Sequence, residues 1–226
     1  GDSDHSPLVK KEMGRACAQC IMNHLQDDEV VAVAGGTTLA AVAEMMIPLG
    51  HRRNVLFVPA RGGLGENVEN QANTICAKIA ERAHGKYRLL HVPDQLSKEA
   101  YESIIEEPEI KDLLKIIRSA KMLVHGIGDA QTMAERRKTP KEDFEKIKKG
   151  NAVGEAFGYY FNQKGEVVHK VQTVGMQLED LKNIRNVIAV AGGASKAKAI
   201  KAYMNQSLAT ILVTDEVAAK ELLREL

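Results

Sequence analysis

Four short segments combine glycine with hydroxyl or basic side chains, and each directly follows an apolar run of the sequence. The segments are Gly35-Gly36-Thr37-Thr38, residues 59–66 (Pro-Ala-Arg-Gly-Gly-Leu-Gly-Glu), residues 125–129 (His-Gly-Ile-Gly-Asp) and residues 192–196 (Gly-Gly-Ala-Ser-Lys). Glycines at such positions let backbone N–H groups approach an anion, and a following helix adds the positive end of its dipole. Arg61 and Lys196 would add full charges, with a bidentate contact to phosphate from the arginine. The pattern predicts a site for a phosphorylated small molecule.

Two common nucleotide signatures do not match these segments. The sequence has no Gly-x-x-x-x-Gly-Lys-Ser/Thr loop, and Gly126-Ile127-Gly128 lacks the third glycine of a dinucleotide fingerprint. ATP and NAD are therefore disfavoured, and we predict no cofactor.

Side chains capable of acid–base chemistry are present, but their spacing is not diagnostic. His125 could be a proton carrier or a hydrogen-bonded core residue, and the second interpretation is favoured. Glu66, Asp129 and Glu155 could each act as a general base or accept hydrogen bonds from sugar hydroxyls. The sequence contains neither a Gly-x-Ser-x-Gly nucleophile elbow nor a His-x-x-x-His pair. We predict no catalytic residue and no metal site.

The three cysteines are Cys17, Cys20 and Cys76, too few for a disulfide framework and consistent with a reducing, cytoplasmic location. Cys17 and Cys20 have the spacing of a redox or zinc pair. Zinc would need two further ligands at a recognisable spacing, and the sequence offers none. We favour the alternative that both are small core residues on one face of a helix.

The 226 residues carry a formal net charge of +1, with 44% hydrophobic and 27% charged residues. This composition is typical of a globular protein and argues against wholesale nucleic-acid binding, which requires a basic excess. No apolar run approaches the roughly 20 residues of a membrane span. Since no linker is evident, we predict one domain over residues 1–226.

Short apolar runs alternate with helical patterns along the chain. The predicted strands are residues 29–34, 55–58, 89–92, 122–124, 187–191 and 211–213. The predicted helices follow them at residues 39–47, 72–84, 97–118 with a break at Pro108, 195–204 and 216–226. An additional first helix would begin at Ser6 and Pro7. Continuous apolar strands are typical of a parallel sheet covered on both faces, so we predict an open α/β fold.

One region departs from this alternation. Residues 159–161 and 166–171 read as two antiparallel strands around a turn that contains Gly165. The preceding residues 140–149 read as a charged, solvent-exposed helix. We therefore predict a β-hairpin added to the main sheet or beside the site.

Five segments together resemble the effector-binding domain of SorC-type sugar-responsive bacterial repressors. They are residues 31–38, 57–66, 70–74, 123–128 and 191–196, and their order is more specific than any one of them. The resemblance covers essentially the whole chain. It implies a Rossmann-like fold related to glucosamine-6-phosphate deaminase and ribose-5-phosphate isomerase. It also implies self-association into dimers or tetramers, and a DNA-binding domain that precedes this chain and contacts operator DNA.

The same resemblance implies an effector and the residues that bind it. The effector would be fructose-1,6-bisphosphate, acting as an inducer of glycolytic genes. One phosphate would contact the segment Gly35, Gly36, Thr37 and Thr38, joined by Arg61 with the adjacent Gly62 and Gly63, and Lys196 would serve a phosphate in the same pocket. The second phosphate would contact Arg136, and the sugar hydroxyls would contact Gln71 and Glu155.

Three functions compete at this point. The domain could be a ligand sensor without turnover, a sugar-phosphate isomerase or deaminase on the same fold, or a pure oligomerisation domain. An enzyme would need a positioned acid–base pair, and an oligomerisation domain would not need the glycine segments. The sensor is the function we favour.

Overall fold

The computed structural model describes residues 1–63 and 67–224, in which ten strands form two sheets. The strands are β1 Val30–Val33, β2 Leu56–Pro59, β3 Lys86–Tyr87, β4 Met122–His125, β5 Gly128–Asp129, β6 Gly154–Ala156, β7 Tyr159–Phe161, β8 Val167–Lys170, β9 Asn186–Val190 and β10 Ile211–Val213. The α-helices are α1 Pro7–His24, α2 Thr37–Met45, α3 Ala72–Ala83, α4 Lys98–Ile104, α5 Pro108–Arg118, α6 Ala130–Arg136, α7 Lys141–Lys149, α8 Ala197–Met204 and α9 Glu216–Arg224. Residues 225 and 226, at the end of the last predicted helix, lie outside the described residues.

The main sheet is parallel throughout and has the strand order β10-β9-β4-β1-β2-β3. Successive residues of β1 face opposite sides of the sheet, because Ala32 belongs to one hydrophobic cluster and Val31 and Val33 belong to the other. Buried helix residues complete each cluster: α1, α2 and α3 on one face, α5, α8 and α9 on the other. The predicted α/β fold with helices on both faces is confirmed.

The first helix begins where the sequence predicts. The hydroxyl of Ser6 accepts a hydrogen bond from the Val9 N–H at 3.3 Å, and Pro7 occupies the first turn. Met13, Cys17 and Ile21 are buried on one face of α1. The local signals and the apolar face therefore agree.

The strand predicted at residues 89–92 is wrong, since the sheet edge is formed by Lys86–Tyr87. The side-chain amide of Asn73 hydrogen-bonds to both backbone polar groups of Leu90. Its Nδ2 atom donates to the Leu90 carbonyl and its Oδ1 atom accepts from the Leu90 N–H, each at 3.0 Å. The carbonyl of Val92 accepts from the Gly63 N–H at 3.0 Å. Leu90 and Val92 are still buried in the core. The apolar pattern thus predicted burial correctly, but the backbone bonds form outside any strand ladder.

The predicted hairpin is confirmed as β7 and β8, with Gly165 in the turn at a φ of 83°. It belongs to a four-stranded antiparallel sheet of order β5-β6-β7-β8. This small sheet starts three residues after β4 ends, and its pairing sets Glu155 of β6 opposite Gly128 of β5. The second sheet therefore carries Glu155 to the end of a main-sheet strand.

Helix α6 was not predicted, and the other helices differ from the predictions mainly at their ends. The long helix predicted at residues 97–118 is divided at Pro108 into α4 and α5, as expected. The helix predicted from residue 195 begins as a 3₁₀ turn, Ala194–Lys196, and continues as α8. None of the helices in the described ranges combines the length and apolar character required to cross a bilayer.

Candidate functional site

A cavity of about 490 Å³ opens beyond the carboxyl ends of β1, β2, β4 and β9. In open α/β sheets this edge is where ligands bind. The sequence-predicted residues in its lining are Gly35, Gly36, Thr37, Thr38, Arg61, Gly62, Gln71, Arg136, Glu155 and Lys196. Gly63 is outside the lining; a Cβ on it would lie 3.6 Å from the Gln71 Oε1 atom. Glu66, the remaining carboxylate considered, lies outside the described residues.

The Gly35-Gly36 turn delivers the start of α2 to this cavity. A Cβ on Gly35 would lie 2.6 Å from the Asn70 carbonyl oxygen, so only glycine fits there. Gly36 has a φ of 115° and a ψ of 163°, a conformation that is almost restricted to glycine. In the part of the chain that the structure describes, no side chain caps α2. The first-turn N–H groups of α2 are consequently able to act as anion donors.

The second Gly-Gly turn, before α8, differs because the chain supplies its own anion there. The Ser195 N–H donates to the Asp4 Oδ2 at 2.8 Å, and the Ser195 hydroxyl donates to Oδ1 at 2.9 Å. Gly193 is held at a φ of 97° close to the same carboxylate. Although the two turns look alike in sequence, Asp4 caps this one.

Lys196 lies partly buried in the cavity wall beside other positive charges. Burial lowers the pKa of its ammonium group, and the nearby charges of Lys10 and Arg136 lower it further, against the opposing effect of Asp4 and Asp129. Lys10 was missed in the sequence because the pair Lys10-Lys11 resembles an ordinary solvated face of α1. The three cations form a local positive cluster that an anion would stabilise.

Arg61 is buried and is committed to an acidic partner. Its Nε atom donates to the Asp94 Oδ1 at 2.9 Å, and Nη2 donates to Oδ2. Burial alone would lower the pKa of Arg61, but the carboxylates of Asp94 and Glu155 hold it above its ordinary value. The expected bidentate contact of Arg61 is thus made with Asp94, and Nη1 remains as the donor not used by that pair.

Glu155 is buried at the cavity wall with its two oxygens in different surroundings. Oε1 accepts from the Arg137 Nη2 and from the Gly158 N–H, each at 2.6 Å. Oε2 lies 3.5 Å from the position a Cβ on Gly128 would take. Burial raises the pKa of this carboxyl, but Arg137, Arg61 and the Gly158 N–H outweigh burial and leave it lowered. Glu155 is therefore an ionised acceptor.

Arg137 was not identified in the sequence, where its neighbour Arg136 was chosen. Arg136 is exposed and lines the cavity, whereas the Arg137 side chain is 2% exposed. The available signal was helical spacing, since Arg137, the residue that ends α6, follows the buried Ala130 and Ala134 at intervals of seven and three residues. A basic run by itself could not separate the two arginines.

His125 lines the cavity but is satisfied within the core. Its Nδ1 atom lies 2.8 Å from the Gly126 carbonyl oxygen and must donate, so Nε2 accepts from the Tyr203 hydroxyl at 2.8 Å. Burial lowers the pKa of His125 to about 4. Asp129 is also engaged, since it caps α6 by accepting from the Thr132 N–H at 2.8 Å. These contacts favour the core interpretation of His125 and give Asp129 a helix-capping role that was not among its predicted roles.

The Cys17–Cys20 pair lies on α1, away from the cavity lining. Cys17 is buried in the core, and burial raises the pKa of its thiol. Cys20 is partly buried, with its sulfur 3.9 Å from the His24 Nδ1 atom. Among residues 1–63 and 67–224 no group of histidine, cysteine and acidic side chains is arranged to hold a metal ion. The helical core interpretation accounts for Cys17.

The chain matches a known protein family over almost its whole length. The family model "Putative sugar-binding domain" matches residues 1–224. The chain is 71% identical over 226 residues to the "Central glycolytic genes regulator" of Priestia megaterium and 64% identical over 225 residues to that of Bacillus subtilis. It covers 66% of each regulator, so it spans slightly less than two thirds of their length.

A solved structure gives the same result. A "putative SorC family transcriptional regulator" from Enterococcus faecalis superposes with a TM-score of 0.92 at 46% identity, covering 99% of this chain and 92% of that chain. These relatives are named as transcriptional regulators, which confirms the prediction of a non-enzyme. Since the family model spans almost the whole chain, the chain belongs to the sugar-binding domain family of SorC-type transcriptional regulators.

Proposed function

We propose that the cavity binds a sugar bisphosphate, specifically fructose-1,6-bisphosphate, and that binding controls a cytoplasmic regulator of glycolytic genes. The observation that carries the proposal is that Arg136 and Lys196 line the cavity together with the first turn of α2, with the charge of Lys10 near Lys196. A ligand with two phosphates carries about three to four negative charges near neutral pH. Arg136 and Lys196 in the cavity lining, the nearby charge of Lys10 and the N-terminus of α2 supply positive charge for such a ligand without requiring Arg61 to leave Asp94.

The residues divide into phosphate and hydroxyl contacts. Thr37, Thr38 and the N–H groups of α2 would bind one phosphate together with Lys196. Arg136 would bind the other phosphate, and Gln71 and Glu155 would contact the sugar hydroxyls. The assignment of a bisphosphate rather than a monophosphate is supported by two cations in the cavity lining, Arg136 and Lys196, and by the nearby charge of Lys10.

The regulatory role is supported by the names of the relatives, which describe regulators of glycolytic genes. In this proposal, operator DNA is bound by a part of the protein outside this chain. The sugar phosphate would act as an inducer by favouring one arrangement of subunits over another, because a ligand shifts an equilibrium only through differential affinity. Self-association of the domain is part of the same proposal.

Substitution of Lys196 tests the site directly. In Lys196→Gln we expect the affinity for fructose-1,6-bisphosphate, measured by calorimetry, to fall about tenfold or more, because a charge-assisted hydrogen bond is lost. Lys198→Gln removes the same charge from an exposed position outside the cavity lining and should change the affinity less than about twofold.

The unmodified domain supplies the reference for this test. Saturating fructose-1,6-bisphosphate, at about 100 times its dissociation constant, should stabilise the domain by about 2.7 kcal/mol in thermal unfolding. Fructose 6-phosphate at the same concentration should stabilise it less. Equal stabilisation by the two sugars, or equal effects of the two lysine variants, would contradict the proposal.

A further inference from the structure

We propose that Arg137 is a positioning residue for effector selectivity: it holds Glu155 as an ionised carboxylate with Oε2 directed to the cavity, where that oxygen accepts hydrogen bonds from sugar hydroxyls. This inference rests on the function proposed above. It concerns a residue that does not line the cavity and acts on the ligand only through Glu155.

Four buried side chains of alternating charge lie next to one another at the cavity, in the order Asp94, Arg61, Glu155, Arg137. The exposed fractions of these four side chains are 0, 8, 4 and 2%, respectively. Buried ions are unfavourable unless they are paired, and removal of one member leaves the next one uncompensated. The two carboxylates and two guanidinium groups balance, so the state of Glu155 depends on both arginines.

The two arginines are not equivalent partners of Glu155. Arg61 gives Nε and Nη2 to Asp94, and its Nη1 is 3.8 Å from the Glu155 Oε1. This distance is too long for a hydrogen bond. The Arg137 Nη2 donates to the same oxygen at 2.6 Å. Arg137 is therefore the cation that is hydrogen-bonded to Glu155.

The buried guanidinium group of Arg137 is only partly satisfied by hydrogen bonds. Its Nε and Nη1 atoms have no hydrogen-bond partner among the residues that the structure describes. Its guanidinium carbon lies 5.9 Å from the centre of the Tyr160 ring. A buried cation with two unsatisfied nitrogens reduces stability, so its contact with Glu155 is the principal compensation that the structure shows.

The contacts of Glu155 determine which of its oxygens is available to the ligand. Arg137 and the Gly158 N–H both donate hydrogen bonds to the Oε1 atom of Glu155. The Oε2 atom of Glu155 therefore lies beside Gly128, which lines the cavity. An ionised carboxylate only accepts hydrogen bonds, and sugar hydroxyls can donate them. The same charge repels phosphate. Arg137 thereby makes this part of the cavity selective for hydroxyl groups, while its neighbour Arg136 faces the cavity as a phosphate contact.

The direction of the Glu155 pKa agrees with this geometry. Burial raises it, and Arg137 is the largest influence that lowers it. Without Arg137, we expect Glu155 to take up a proton at a higher pH and to become a hydrogen-bond donor as well as an acceptor.

The test compares two ligands in Arg137→Met, with Lys141→Met, at the exposed start of α7, as the control. The ligands are fructose-1,6-bisphosphate and 1,6-hexanediol bisphosphate, which has two phosphates and no free hydroxyl. In Arg137→Met we expect the sugar bisphosphate to lose about tenfold in affinity, and the diol bisphosphate to lose less than about threefold. Lys141→Met should match the unmodified domain, and Arg137→Lys should recover part of the loss.

The pH profile separates positioning from a merely structural effect. The affinity of Arg137→Met relative to the unmodified domain should fall further at pH 6 than at pH 8 for the sugar bisphosphate only. The double variant Arg137→Met with Glu155→Gln removes the uncompensated carboxylate if the single variant folds poorly, and it should have the same relative affinity at both pH values.

The possible failures are distinguishable. If the unmodified domain does not bind fructose-1,6-bisphosphate, the proposed function is wrong. If it binds, but Arg137→Met weakens both ligands equally at both pH values or weakens neither, the positioning role of Arg137 is wrong.

Discussion

At the scale of single residues, burial decides which side chains are chemically available. His125 stands in a glycine-rich segment and lines the cavity, yet both ring nitrogens are engaged by Gly126 and Tyr203. Residue type and position alone would fit a proton carrier equally well. The surrounding core, with the Phe157 ring centre 4.8 Å away, keeps the imidazole neutral.

His125 should make the domain sensitive to acid. Its pKa is about 4 in the folded protein against an ordinary value of 6.5, so the unfolded chain binds the proton first as the pH falls. The stability that depends on neutral His125 is complete above pH 6.5 and is lost between 6.5 and about 4, at up to roughly 1.4 kcal/mol per pH unit. Denaturant unfolding of His125→Gln should show a flatter pH dependence in that window.

Exposed His51 provides the control for this measurement. His51→Gln should keep the pH dependence of the unmodified domain. If His125→Gln loses stability as steeply as the unmodified domain between pH 6.5 and 4, the buried imidazole is not responsible for acid sensitivity.

At the scale of elements, two turns with the same glycine pair have different roles. The turn before α2 has no side-chain cap among the described residues, whereas Asp4 caps the turn before α8. Asp4 comes from the segment before α1 and is 191 positions from Ser195. The strand–glycine–helix pattern therefore indicates where an anion could bind, and distant parts of the chain determine whether the donors remain available.

The backbone conformation of Gly36 orients the N–H groups in the first turn of α2, which are the proposed anion donors. A Cβ at this position would contact nothing within 4 Å, so the cost of Gly36→Ala is conformational, about 1–3 kcal/mol. We expect lower stability in denaturant unfolding and weaker binding of fructose-1,6-bisphosphate in calorimetry, because relief of the strain moves the start of α2.

Gly50→Ala is the matched control, since Gly50 also has a positive φ, 67°, and open space around it but lies outside the cavity lining. It should lower stability by about 1–2 kcal/mol and leave the ligand affinity unchanged. Unchanged ligand affinity in Gly36→Ala would show that the α2 turn is not part of the binding site.

At the scale of the whole molecule, the net charge of +1 conceals a strongly uneven distribution. Positive charge is gathered near one cavity, at Lys10, Arg136 and Lys196. The charges of the four buried side chains cancel, since Asp94 and Glu155 are balanced by Arg61 and Arg137. A small anion responds to the local cluster. Duplex DNA interacts with an extended basic surface, and the net charge of +1 shows no overall basic excess of that kind.

We therefore expect this chain alone to bind a small bisphosphate but not duplex DNA. Fluorescence anisotropy with a labelled duplex at physiological salt should show no saturable binding below about 100 µM protein, the weak end of ordinary non-specific affinities. A scrambled duplex should give the same result. Saturable, sequence-dependent binding by this chain would contradict the view that DNA is contacted by another part of the protein.

The sequence by itself determined the α/β class, most helices and strands, and the edge of the sheet at which the cavity opens. These features depend on local signals: buried parallel strands are continuously apolar, helix starts have caps, and tight turns need glycine. The sequence did not predict α6, β5 or β6. It also predicted a strand at residues 89–92 that does not form, because a strand requires a backbone partner and the Asn73 side chain bonds to both backbone polar groups of Leu90.

Only the tertiary structure decided how the polar residues are paired. Arg61 binds Asp94 across 33 positions, Arg137 binds Glu155 across 18, and His125 binds Tyr203 across 78. The strength and protonation of a polar group depend on burial and on partners a few ångströms away, and neighbouring residues such as Arg136 and Arg137 can experience opposite surroundings. Local sequence places such groups at the site, but folding determines which of them are free to bind a ligand.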